Sequence, residues 1–160
     1  MAIIWTVEPG DIEVEVFNRG SEWVSIVPFG YDSETEETIS VFVAVAPQPQ
    51  GDHEHVFCIV RADQYSDEEQ QVWSGLSTKE LFPSPDDRAM VLGLICAVTA
   101  AVLQEANVRK VFHCTHDDNP PEKALNKHIA IMKVFRDLGY TGGRADSYHG
   151  HHIWIMERQH

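Results

Sequence analysis

At 160 residues, 43% of them apolar and 23% charged, the chain is long enough for one domain with a sizeable core and too short for two. It has no low-complexity tract and no internal repeat, which excludes disordered and solenoid classes. Its formal charge of −13, from 25 acidic against 12 basic residues, repels phosphate backbones and argues against nucleic acid as a partner.

Met1 to Gly10 has no basic segment and its apolar stretch is broken by Glu8 and Pro9, so it does not read as a secretory signal. Ile12-Glu13-Val14-Glu15-Val16 alternates apolar with acidic residues, as a strand with one wet face does. Trp23 to Val27 repeats the habit after Asn18-Arg19-Gly20-Ser21, so these two stretches are expected to form a hairpin. Thr38 to Ala46 and Val56 to Arg61 are the next strands, separated by Pro47-Gln48-Pro49-Gln50-Gly51, which is unsuited to a strand interior. The acidic runs around Asp32 and Asp67 read as solubilising turns.

A short helix is expected around Asp67 to Ser74. Ser84-Pro85-Asp86-Asp87 then supplies a capping hydroxyl, a proline at the first helical position and two acids in the first turn, so a helix should run from Pro85 to about Ala106. The apolar run inside it, Ala89 to Leu103, is shorter than the ~20 residues of a bilayer span and contains Gly93, Cys96 and Thr99. It is expected to be buried, with no membrane role. Val108 to Cys114 reads as a strand, Asp117 to Pro121 as a loop, Glu122 to Leu138 as a helix capped by Gly139, Gly142-Gly143 as a turn, and His152 to Glu157 as the closing strand.

Strands followed by helix, strand, helix and strand give an α+β fold with a mixed sheet in a single domain over residues 1–160. Parallel pairing is expected where the long helix crosses over from Val56–Arg61 to Val108–Cys114. Cys58, Cys96 and Cys114 lie in apolar stretches without CxxC spacing, which suits reduced thiols in a cytoplasmic protein.

That order resembles the GCN5-related N-acetyltransferase (GNAT) fold over about Thr38 to Met156. Pro85-Asp86-Asp87-Arg88-Ala89-Met90-Val91-Leu92-Gly93 is similar to the family's turn into its central helix, keeping the proline, the Arg88 position and Gly93, with Val91 at the middle glycine. Val134-Phe135-Arg136-Asp137-Leu138-Gly139-Tyr140 looks like the family's closing helix motif, with Phe135 where many members have a proton-donating tyrosine. The resemblance implies transfer of an acyl group from acetyl-CoA or another acyl-CoA to a small-molecule or protein amine. It places Arg88, Ala89, Gly93 and Asn119 at the cofactor. His113, His116 and Glu157 are the candidate catalytic bases by placement.

Val91, Phe135, the two aspartates and the net charge favour a second expectation, the alternative to acyl transfer. This is a non-catalytic acidic module on the same fold, of inhibitor or immunity type, with a basic protein partner. Nine histidines, clustered at His53/His55, His113/His116 and His149/His151/His152, raise a third class, a metal-dependent hydrolase, but no established ligand spacing is present and no metal ligand is assigned.

Overall fold

The computed structural model describes residues 3–8, 10–63, 69–72, 75–115, 125–146 and 149–159. In chain order the elements are β1 (Ile3–Trp5), β2 (Phe17–Arg19), β3 (Glu22–Asp32), β4 (Glu37–Pro47), β5 (His53–Asp63), β6 (Glu69–Val72), α1 (Gly75–Leu81), α2 (Pro85–Ala106), β7 (Lys110–Cys114), α3 (Asn126–Asp137), β8 (Thr141–Arg144) and β9 (Ile153–Glu157). The fold is α+β, and the strands form one mixed sheet in the order β1-β3-β4-β5-β7-β9-β8, with β2 on β3 and β6 on β5.

The antiparallel β3-β4-β5 meander is the widest part of the sheet, and its alternation decides which face the helices cover. Val41, Val43 and Val45 of β4 share one face with Val27 and Ile59 across the register. They pack in one cluster with Val91, Leu94, Ile95, Val98 and Val102 of α2 and Ile131, Met132 and Phe135 of α3.

Helix α2 keeps its sequence-expected bounds because both ends are signalled locally. Ser84 sits in extended backbone and its Oγ accepts from Asp87 N at 3.4 Å, Pro85 needs no donor at the first position, and Asn107 ends the helix in the left-handed region at φ 51°. Among the described residues α2 is the one helix long and apolar enough to cross a membrane; in this fold, seven of its residues are buried.

Four expectations change. Ile12 to Val16 is not a strand: Ile12, Val14 and Val16 are half-buried and Asp11, Glu13 and Glu15 exposed, but no ladder forms. Alternation reports which side chains face the core, whereas pairing also needs a strand edge within reach, and the hairpin partner of β3 is Phe17–Arg19 instead. Within Asp67 to Ser74, the described residues Glu69–Val72 form β6, because the outer edge of β5 beyond Ile59 is open to pair with them. Gly142-Gly143 lies within β8, paired to β9. The parallel pairing of β5 and β7 joins His53–His55 to Val111–His113, upstream of Val56.

Gly142 has φ 143°, and a Cβ there would fall on the carbonyl oxygen of Ile155 across the ladder. Gly142→Ala is therefore expected to lower stability by about 2 kcal/mol or more, through strain at a special backbone position, read as a shifted urea midpoint.

Candidate functional site

The first three residues of β5 pair in register with β7, and this short ladder gathers the histidines. Register places His55 beside His113, and since neighbours in register share a face, both imidazoles point toward the helices. Trp154 of β9 is opposite His113 on that same face. From above, α2 contributes Thr99 and α3 contributes His128, and all four polar residues are at most 5% exposed.

They form one unbranched chain. Thr99 Oγ1 lies 2.9 Å from His55 Nε2, His55 Nδ1 lies 3.0 Å from His113 Nδ1, and His113 Nε2 lies 2.7 Å from His128 Nδ1. The surroundings are aromatic: Phe57 stacks on His113 at 5.7 Å, Trp154 stacks on His128 at 5.4 Å, and Phe135 meets His55 edge-on at 5.5 Å.

Each neutral imidazole has one donor and one acceptor, so fixing one proton fixes the others. His113 Nδ1 also lies 3.4 Å from the carbonyl oxygen of His55, an obligate acceptor, which favours a proton on His113 Nδ1. Then His113 donates to His55 Nδ1, His55 Nε2–H donates to Thr99 Oγ1, and His128 Nδ1–H donates to His113 Nε2. Every facing pair is satisfied while all three rings are neutral.

Burial holds them neutral. Desolvation pushes His55 well below its ordinary range, helped by His113 and His128. It takes His113 down to about 4, against a smaller opposing pull from the His55 carbonyl. His128 falls to about 2, through desolvation first and then the charges of His113, Lys127 and His152. Groups this hard to protonate are poor general bases near neutral pH. The chain is linear, so its nitrogens do not converge on a point, and among the described residues no group of three His, Cys, Asp or Glu side chains is placed to hold a metal ion.

The sequence-assigned residues do not meet. His113 is the centre of the chain, with both ring nitrogens engaged. Glu157 lies at the far end of β9, on the face opposite Trp154, half-exposed and 3.3 Å from Arg109. Arg88 turns back on the loop before α2, donating to the carbonyl oxygens of Phe82 and Pro83 at 2.9 and 2.8 Å. Ala89 and Gly93 are exposed within α2, about 15 Å and 9 Å along its axis from Thr99. His116 and Asn119 lie outside the described residues. No family model, curated protein or solved structure matches this chain.

The turn into α2 does not fit a pyrophosphate. Helix begins at Pro85, so the amides of residues 89–93 belong to the helical ladder; Pro85 has no N–H, Ser84 Oγ takes that of Asp87, and Arg88 N bonds Ser84 O. Val91 is buried in the core, and Asp86 and Asp87 occupy the first turn, where a second anion would be repelled.

A different concavity lies on the outer edge of β3. β2 pairs as far as Val24 and β1 from Gly30 onward, and among the described residues the edge between them has no strand partner. Thr6 N bonds Phe29 O at 2.9 Å and Ser25 Oγ donates to Glu15 O at 2.7 Å, which pins the intervening segment at both ends. Between those ties opens a groove of about 380 Å³ lined by Val7, Asp11, Ile12, Glu13, Glu15, Ile26, Val27 and Pro28.

The sequence reading missed His55 and His128 as partners of His113. His55 lies just before the strand expected from Val56, and His128 stands alone in the sequence. The available signal was that β5 and β7 each carry a histidine beside their apolar run, at positions a parallel register can align.

Proposed function

We propose that this protein is a non-catalytic acidic binding module on a GNAT-like scaffold, and that it holds a basic, partly apolar extended segment of another protein along the outer edge of β3. The observation that carries this reading is the groove itself. Three exposed carboxylates, Asp11, Glu13 and Glu15, border an apolar floor that includes the exposed Ile26 and Pro28. A segment alternating lysine or arginine with aliphatic residues matches both features, and an unpaired strand edge favours an extended partner. The net charge of −13 steers such a partner toward the protein. A cytoplasmic setting with reduced cysteines goes with this reading.

The second reading, acyl transfer from acetyl-CoA or another acyl-CoA to an amine, rests on the sheet. A parallel β5-β7 pair bridged by α2, with β9 and β8 beyond it, suits the GNAT-like order. The closed turn at Ser84–Arg88 weighs against it.

One calorimetric series separates the two. Labelled peptides alternating lysine and leucine are expected to bind at low salt, with affinity falling steeply as salt rises. Glu13→Lys with Glu15→Lys should weaken binding tenfold or more, while acetyl-CoA gives no heat up to millimolar concentration. Micromolar acetyl-CoA binding, with no peptide binding, would reverse the order of the two readings.

A further inference from the structure

We propose that the histidine chain is an acid-released latch, which frees α3 from the sheet in mild acid while the β3-β4-β5 meander stays paired. The geometry supplies the reason. The chain is the polar tie that joins α2, α3, β5 and β7, and it is complete only while each N–H faces a lone pair. One added proton sets two N–H groups against each other at the His55–His113 or His113–His128 contact, unless it lodges on the outer nitrogen of His128.

That outer position is hostile to charge. Among the described residues, Lys127 and His152 are the charged or titratable groups that act on the chain besides the histidines themselves. α2 presents Thr99, β5 presents Phe57, and β9 presents Trp154, none of them acidic. His128 also sits in the first turn of α3, where the helix dipole opposes a cation. Protons therefore enter when α3 lifts and its histidine reaches water.

α3 is the element built to lift. It is 12 residues long, its N-cap residue Leu125 makes no side-chain cap bond, and it buries His128, Ile131, Met132 and Phe135. The meander that remains is held by three 11-residue strands. The device stands apart from the groove on β3, which lies beyond β4 and β5 in the sheet, so either can fail without the other.

Hydrogen exchange on the full chain from pH 7.5 to 5, corrected for intrinsic amide rates, tests it. Protection of residues 126–137 is expected to fall by up to about a hundredfold per pH unit below 6.5, the slope for two protons taken up on opening, one on His128 and one on the released His113 Nε2. Protection of residues 37–63 should stay high over the same range. His128→Gln keeps a hydrogen-bonding group but takes no charge, and should reduce the slope to about tenfold per unit. Loss of protection in both regions together, or α3 protection that does not change with pH, would overturn the latch; the wild-type profile decides this even if the variant does not fold.

Discussion

The free energy of unfolding is expected to fall by up to about 4 kcal/mol per pH unit below pH 6.5, the linkage of three buried histidines at about 1.4 kcal/mol per proton. The sign follows from which state binds protons. Folded His113 and His128 resist protonation down to about 4 and about 2, and His55 is lowered as well. Unfolded histidines take protons near their ordinary 6.5. In the window from 6.5 downward the unfolded chain therefore binds more protons, and stability is lost as pH falls; it is fully present above 6.5. Relief of acidic self-repulsion as pH approaches the isoelectric point near 4.9 acts in the opposite direction. That term is spread over a solvated surface and screened by salt, whereas the imidazoles are in a dry core, so the histidines are expected to win. Urea midpoints at pH 7.5, 6.5, 6.0 and 5.5 measure it, and a profile that is flat or rises toward acid would contradict the neutral chain.

The second large effect belongs to the middle ring. His113→Leu removes both nitrogens at once and leaves His55 Nδ1 and His128 Nδ1 buried without their partners. At about 1–3 kcal/mol for each unsatisfied group, the cost at pH 7.5 is about 2–6 kcal/mol. Replacing His55, His113 and His128 together by leucine leaves only the Thr99 hydroxyl to be satisfied, so the triple variant should be less destabilised than the sum of the three single changes. It should also lose most of its acid sensitivity. Urea unfolding of the single and triple variants decides the matter: a cost below about 1 kcal/mol for His113→Leu would mean that water or a rearranged ring replaces the lost bonds.

Much of the α+β order was legible locally. Ser84-Pro85-Asp86-Asp87 and the apolar run after it specify α2 because capping, proline placement and charge at a helix start act within one turn of chain. β4 and β7 were legible because β-rich runs flanked by breakers have few alternatives. Ile12 to Val16 was misread for a reason of distance: its alternation is real in burial, but its backbone has no strand alongside it. Gly142-Gly143 carried a turn signal and is a strand, since close approach to Ile155 rather than a reversal of the chain requires glycine there.

The candidate site followed the same division. Residues 88–93 read as a phosphate turn by spacing, yet the helix start at Pro85 draws their amides into its own ladder. The acidic residues of the groove were visible as an alternating stretch, but the cleft forms only where tertiary ties pin that stretch against β3 between its pairings with β1 and β2.

Composition, charge, the single-domain α+β class and the bounds of α2 were thus determined by the sequence itself, since each depends on residue content or on interactions a few positions apart. The histidine chain was decided by tertiary structure alone. Thr99, His55, His113 and His128 are distant in sequence, and only the three-residue parallel contact of β5 with β7, together with the packing of α2 and α3 over it, brings their nitrogens within hydrogen-bond range and removes the water that would otherwise keep each of them ordinary.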